Sequence, residues 1–420
     1  MIRAHAKFKF NKAAQGCFYS GTIEIEEKPF TMVYDCGTKS TGAYLKGEIK
    51  QFKDKLKDTG NILNLLVISH FDQDHVNQVA TLLRGITSID RVVLPYLTPE
   101  ERMYLYFSSR SAEDGEDEPA AGYGAFMIDP VAFLNRFKVK EIIFIGNGGN
   151  NDGSNGNEDI DPHGPINWAE GKKRESESNG YTIDDSNIKI NRLLPAAEYA
   201  VQLSRSKGKS EVGFYSGGKI FIDRIWEFIF YSEPAKAGHM TKVLAFKKAV
   251  YDKLASYKRA GMSKSVTIKT IFERYTEFAD LYRTHFMDKD LNFSSVIVYH
   301  IPRVNVDIWW EDDWSRLYKP ERSATLLMGD ASLKGLSLPS EINLSLVRIC
   351  QIPHHGAETN WKSTIFRKLN DTTVVVFNFG LGNPHKHPRP KIVDIIANRY
   401  RLQTRINTQL QSFSYGIHSV

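Results

Sequence analysis

Long apolar runs are missing from this chain of 420 residues. A membrane-spanning helix needs roughly 18 or more apolar residues in succession. The longest runs here, Asn64 to Ile68 and Thr373 to Phe377, are short, β-branched and bounded by polar residues, which predicts buried strands and no membrane partner. Met1 to Lys7 carry basic residues with no apolar stretch behind them, so no secretory leader is expected. Cysteine is scarce as well. Cys17, Cys36 and Cys350 are too few and too scattered for a disulfide framework or a zinc knuckle, and they suit a reducing compartment, so a cytoplasmic location is expected. Charge of one sign is weak: 55 Lys+Arg against 49 Asp+Glu leave only +6. With 41% hydrophobic and 25% charged residues, disordered, collagen-like and coiled-coil classes are excluded. The length suits one elaborated α/β core of about 250–300 residues carrying an insertion.

What is present is a series of strands with polar clusters at their ends. Residues 5–10 and 17–26 alternate apolar and polar side chains, as half-buried antiparallel strands do. Phe30 to Tyr34 reads as a strand ending in Asp35-Cys36-Gly37, 44–57 as a lysine-rich amphipathic helix, Leu65–Ser69 as a strand, Val76 to Leu83 as a helix, and Arg91 to Pro95 as a strand. Beyond about 107 an acidic run, Glu113 to Glu118, and a Gly/Asn/Asp/Ser tract, Gly146 to Gly156, flank the strand Val139 to Ile145; both tracts read as solvated loops. Residues 241–287 look helical and hold ten Lys/Arg against four Asp/Glu, an excess equal to that of the whole chain. Their aromatics, Phe246, Tyr251, Tyr257, Phe272, Tyr275, Phe278 and Tyr282, form either a packing face or, beside the lysines, a wall that tracks phosphates. Strands return at Ser295 to Tyr299, Ala324 to Met328, Val347 to Ile352 and Val374 to Phe379.

The densest chemistry is His70-Phe71-Asp72-Gln73-Asp74-His75 at a strand-to-helix turn. Two imidazoles and two carboxylates in six positions form a packet of N and O donors suited to divalent metals. The competing account makes Asp72 or Asp74 a helix cap. Company favours the metal: Asp330 follows a strand and a glycine, and His354-His355-Gly356 and Asn383 to Pro388 follow further strands. Six of the 12 histidines fall in three short stretches, which scattered core histidines do not explain.

In this order the motifs resemble the metallo-β-lactamase fold, and within it they are most similar to the hydrolase domain of the bacterial DNA-uptake channel protein ComEC. The stretches that match are Gln15 to Gly37, Ser69 to His75, Asn292 to Val296, Leu326 to Ala331, Ile352 to Gly356 and Asn383 to Pro388. The resemblance covers roughly residues 1–100 and 290–420. It implies an α/β architecture, an αββα sandwich whose halves, 1–100 and 291–420, are separated by an insertion over 101–290. It also implies two divalent metal ions: His70 and Asp72 hold one, Asp74 and His75 the other, Asp330 bridges, and His387 completes the second site. Asp74 would orient a water. His354 and His355 are either further ligands or the groups that stabilise an oxyanion and protonate a leaving group, and Asp35 orients the motif histidines. Asp72 stands where many members carry an imidazole, which hardens the site and favours manganese or magnesium over zinc. The sequence departs from the pattern at Asn77-Gln78, where a glycine pair is usual, at Ala357 in place of serine, and at Asn292, near the position of a missing third-motif histidine. The channel's membrane part is absent, so its transport role does not carry over.

The resemblance favours phosphodiester hydrolysis, with DNA or another nucleic acid as substrate. Hydrolysis of a small ester, lactam or thioester would use the same metal core. A third possibility, from another class, is a partner-dependent effector whose 101–290 segment docks a second protein in a defence or DNA-processing system. Oligomeric state is not legible in the chain.

Overall fold

A computed structural model describes residues 3–97, 121–146, 210–215, 217–232, 275–285, 295–310, 322–359 and 361–419, with short pieces between them. The acidic run 113–118, the Gly/Asn tract after Gly146, the stretch 292–294 and most of 241–274 lie outside the described residues. The architecture is mixed α/β, with two mixed sheets and few helices.

The chain opens with β1 (Ala4–Phe10), β2 (Gly16–Ile25) and β3 (Lys28–Thr38), an antiparallel meander. The helix α1 (Ala43–Asp58) leads into β4 (Ile62–Val67), which pairs parallel to β3. Two short helices follow, α2 (Gln73–Val76) and α3 (Val79–Leu83), then β5 (Ser88–Pro95), α4 (Ala121–Ile128), α5 (Pro130–Leu134) and β6 (Val139–Ile145). The middle of the chain adds β7 (Arg174–Ser176), β8 (Tyr181–Ile183), β9 (Glu211–Tyr215), the hairpin β10 (Gly217–Ile222) and β11 (Trp226–Ser232), and α6 (Tyr275–His285). The last part carries β12 (Val296–Pro302), β13 (Val306–Trp310), β14 (Ala324–Leu327), β15 (Val347–Gln351), β16 (Val374–Asn378), α7 (Pro390–Asp394), β17 (Gln403–Asn407) and β18 (Phe413–Ser419).

One sheet runs β13-β18-β1-β2-β3-β4-β5-β6-β9, the other β17-β16-β15-β14-β12-β11-β10-β8-β7. Alternation puts Phe8, Tyr19, Met32 and Tyr415 of the first sheet and Trp226, Phe228 and Val298 of the second into one shared apolar core. Each sheet has a second apolar layer. On the first, Leu45 and Ile49 of α1, Leu82 of α3, Phe126 of α4 and Phe133 of α5 pack on Val33, Leu66 and Val92; on the second, Ile392 and Ile396 pack with Cys350, Val375 and Phe377. No helix among the described residues is long and apolar enough to cross a membrane.

The described parts of 101–290 join both sheets. Strand β6 pairs with β5, and β9 with β6, at one side of the first sheet, while the β10–β11 hairpin pairs with β12 in the second. The described aromatics of the basic stretch pack inward: Phe246 and Phe278 are buried in the layer over the first sheet, and Phe246 meets Tyr282 edge to face at 6.1 Å. They form a packing face.

The expected helix Val76–Leu83 is broken and starts earlier. The Asn77 side chain pairs with the backbone of Thr38, its Oδ1 accepting from the Thr38 amide (3.1 Å) and its Nδ2 donating to the Thr38 carbonyl (2.7 Å), and the Gln78 amide donates to the Cys36 carbonyl (3.0 Å). These bonds to the end of β3 stop α2 after one turn, and α3 begins afresh.

Between the sheets lies one buried polar chain. The Trp226 indole donates to His300 Nδ1 (3.4 Å), which leaves His300 Nε2 to donate to the Tyr19 hydroxyl (3.0 Å); Tyr19 meets Tyr415 (2.6 Å), and Tyr415 meets Thr325 (2.6 Å). Burial pushes the His300 imidazole down to about 3. The folded state therefore refuses a proton that the unfolded chain takes up near 6.5, and stability present above that pH falls as pH drops towards 3. The loss is about 1.4 kcal/mol per pH unit from this group. Urea titrations at pH 7 and pH 5 should give a smaller difference in stability for His300→Phe than for wild type; equal pH dependence would show that His300 does not titrate this way.

Candidate metal centre

The groups of the centre sit near or just beyond the ends of strands: Asp35 near the end of β3, His70 to His75 after β4, Asp330 after β14, and His354-His355 after β15. Two glycines let these ends crowd together. A Cβ on Gly37 would come within 2.5 Å of the His75 amide nitrogen, and one on Gly329, whose φ is +52°, within 2.6 Å of Ser69 Oγ. His354 and His355 also adopt left-handed backbone, at φ 51° and 53°, ahead of Gly356 at 79°. Such conformations cost about 1–3 kcal/mol per non-glycine residue and persist only where surrounding bonds enforce them. Here the His354 amide donates to the Gly329 carbonyl (3.1 Å) and His355 Nδ1 to the Asn378 carbonyl (2.7 Å).

Tautomers follow from the partners. A carbonyl can only accept, so His355 carries its hydrogen on Nδ1 and turns a lone pair at Nε2 towards the centre. Asp35, fully buried, accepts from the Ser69 amide at Oδ1 (2.6 Å) and, at Oδ2, from Ser69 Oγ (2.6 Å) and His75 Nδ1 (2.7 Å). Ser69 has thereby spent its one hydrogen, so at 2.9 Å it accepts from His70 Nδ1. Three imidazoles are thus fixed with Nδ1 as donor and Nε2 facing inward.

What those Nε2 atoms meet is more acceptors. His70 Nε2 lies 3.6 Å from one Asp330 oxygen and 3.9 Å from Asp72 Oδ2; His75 Nε2 lies 3.5 Å from the other Asp330 oxygen; His355 Nε2 lies 3.1 Å from Asp74 Oδ2. His70 Nε2 and His75 Nε2 are buried without a hydrogen-bond partner among the described residues. Lone pairs and carboxylates converging in this way need a cation or protons between them. The donors fall into two overlapping groups whose atoms lie within 4.8 Å of one another, Asp74-His75-Asp330-His355 and His70-Asp72-Asp74. This donor set could hold divalent metal, and N with O donors suits zinc, manganese or magnesium. A third grouping, Cys17-Asp35-His75, offers nothing further. Asp35 and His75 Nδ1 are bonded to each other, and burial keeps the Cys17 thiol protonated far above its usual range.

The electrostatics fit that reading. Burial, and then the charge of His75, push His70 down to about 3. Burial works against a charged His75, but the Asp35 and Asp330 carboxylates outweigh it and hold this imidazole well above its ordinary range. Burial, against the pull of Lys39 and with the negative charges of Asp74 and Asp330, raises Asp72 to about 6. Asp72 begins α2 yet makes no side-chain capping bond, so the helix-cap account does not explain it.

Lys39 was not singled out in the sequence. It follows Asp35-Cys36-Gly37-Thr38, and its ammonium reaches Asp74 Oδ1 at 3.0 Å from a side chain that is still 36% exposed. A cation just past a strand-end motif was the available signal. Ser69, the hinge of the hydrogen-bond system, heads the matching stretch Ser69 to His75, but nothing in the sequence assigned it a role of its own. His354 sits at the mouth, 28% exposed, its Nδ1 3.9 Å from Asp330 Oδ2. His387 lies outside both donor groups, its ring 6.1 Å from that of His354 and 5.8 Å from that of His385. Its loop is held by Asn383, which donates to the Gly380 and His387 carbonyls (2.8 and 2.7 Å) and accepts from the His387 amide (3.0 Å).

No family model matches the chain, and no curated protein matches it either.

Proposed function

We propose that this chain is a metal-dependent hydrolase of the metallo-β-lactamase type, similar to the ComEC hydrolase domain, and that it cleaves phosphodiesters, with nucleic acid as substrate. The observation that carries the reading is the convergence of the His70, His75 and His355 Nε2 lone pairs on the carboxylates of Asp72, Asp74 and Asp330. Two layered sheets with helices on the outer face of each agree with an αββα sandwich. His70 and Asp72 would hold one ion, and Asp74, His75 and His355 the other. Asp330 would serve both, since its two oxygens face different imidazoles. Divalent ions held there would polarise water and the electrophilic centre.

The chain's own groups do the rest. Asp35 and Ser69 fix the imidazole orientations, and Asp74, between His355 and Lys39, is placed to orient a nucleophilic water. His354, more exposed than the other imidazoles of the centre, belongs to neither donor group and suits proton donation to a leaving oxygen. A phosphodiester is favoured over a neutral ester because an ammonium and three imidazoles stand beside the centre. Lys39 reaches Asp74, and the rings of His387 and His385 follow one another from that of His354. An anionic substrate gains from such a rim, while a lactam or thioester gains little.

The test is a cleavage screen with single- and double-stranded DNA, RNA, a chromogenic phosphodiester and a neutral ester, each with manganese, magnesium and zinc. Phosphodiester cleavage that weakens steeply with salt supports the proposal; turnover of the neutral ester alone overturns it. Lys39→Met should raise KM for the phosphodiester about tenfold or more at low salt and leave KM for the neutral ester unchanged.

A further inference from the structure

Asp74 is the one residue common to both donor groups of the centre, and its two oxygens face different neighbours. Oδ2 lies 3.1 Å from His355 Nε2, within the cluster, and Oδ1 lies 3.0 Å from the Lys39 ammonium. Asp74 is 1% exposed, yet its Oδ1 has no aligned hydrogen bond among the described residues. The tie to Lys39 is therefore charge on charge, with no directed bond to hold it in place.

Lys39 is anchored at one end only. Its amide donates to the Gln15 carbonyl (2.8 Å), and its neighbours are fixed as well: the Thr38 amide donates to Asn77 Oδ1 and the Ser40 amide to Thr38 Oγ1, both at 3.1 Å. Beyond this pinned backbone the side chain is 36% exposed. A flexible stem carrying a compact point charge can swing outward without disturbing that anchor. Its charge acts on the exposed His385 as well as on Asp72 and Asp74, so one ammonium serves the buried carboxylates and an imidazole outside them. A carboxylate oxygen shared by an ammonium and a divalent ion brings two cations into repulsion at short range.

We infer that Lys39 is an internal competitor for the centre: its ammonium neutralises Asp74 and has to leave before an ion is held tightly by Asp74, His75 and His355. An ion on His70 and Asp72 is opposed less, because the ammonium's contact is with Asp74. On the hydrolase reading, which it presupposes, this competition turns metal loading into an exchange. Lys39 gives up a carboxylate when the ion arrives and is then free to meet an anionic substrate, so the centre takes its ions before its phosphate.

The test reads binding alone. Manganese(II) and, separately, zinc(II) are titrated calorimetrically into the full chain after chelation, as wild type, Lys39→Met, Lys39→Gln and Lys39→Arg. The two neutral variants should gain about tenfold or more in the weaker constant, or take up a second ion that wild type does not bind in the same range. Lys39→Arg keeps the charge and should stay close to wild type. A weaker constant that is unchanged or lowered in a folded neutral variant overturns the inference. An arginine variant that tightens as much as the neutral ones overturns it too, since the charge would then not be the cause. Either neutral variant suffices if the other fails to fold. Wild type that binds neither ion brings down the hydrolase reading together with the competitor, whereas wild type that binds, with neutral variants no tighter, removes the competitor alone.

Discussion

Asp330→Ala should abolish metal-dependent cleavage, lowering kcat/KM about a thousandfold or more. The reason is positional. Asp330 is 4% exposed and alone puts one carboxylate oxygen towards His70 and the other towards His75, so no neighbour replaces it for both ions. The stability signature separates this from a folding defect. Without metal, Asp330 supports the charge of His75 while crowding that of Asp72, so removing it loses one interaction and relieves the other. The metal-free variant should lose about 1–3 kcal/mol of stability and still fold, while the rise in Tm that manganese or zinc gives wild type, by binding the folded state only, should disappear. Calorimetric melts with and without metal, alongside the cleavage assay, decide the matter. Undiminished cleavage, or an unchanged metal-induced rise in Tm, would remove Asp330 from the centre.

Asp35→Ala carries the second large effect, and it falls on the fold. Three donors, the Ser69 amide, Ser69 Oγ and His75 Nδ1, lose a fully buried acceptor together. Stranding these buried donors at about 1–3 kcal/mol each, the imidazole included, points to a loss of about 3–5 kcal/mol. Asp35 also sits at φ 59°, where alanine is strained and asparagine tolerated. Asp35→Asn keeps the shape, but its amide nitrogen would confront a donor. It should therefore lose less stability than the alanine variant while still weakening metal affinity about 10–100-fold through His75. Denaturant midpoints and metal titrations measure the two effects separately. An Asp35→Ala protein as stable as wild type would mean that the buried carboxylate contributes nothing to the fold.

The parts of the fold legible in the sequence are those where one physical signal acted alone. Val139 to Ile145, with four β-branched residues and Phe144 around Lys140 and Glu141, is β6 with the same bounds; the alternation over 5–10 and 17–26 is β1 and β2. The helix over 76–83 misled because periodicity carries no trace of a tertiary competitor, and the Asn77 amide is occupied by Thr38 from β3. The hairpin β10–β11 went unread because Gly217-Gly218 weakens its first strand and its partner β12 lies across a long gap in sequence. In the centre, clustered histidines and aspartates marked the ligand types. The Nδ1 donors that orient them could not be read, since the partners Asn378 and Ser69 contribute a backbone carbonyl and an ordinary hydroxyl. Lys39 was hidden for the same reason: it gains meaning only when the end of β3 meets Asp74.

The pairing of β18 with both β1 and β13 has a temporal consequence. During synthesis at about 5–20 residues per second, the 413 positions between His5 and His418 correspond to roughly 20–80 s of translation. Throughout that interval β1 has β2 on one side and an unsatisfied row of amides and carbonyls on the other. An edge left open in this way invites pairing with other chains. Lys7, on its outward face, puts a positive charge along that edge until the closing strand leaves the ribosome.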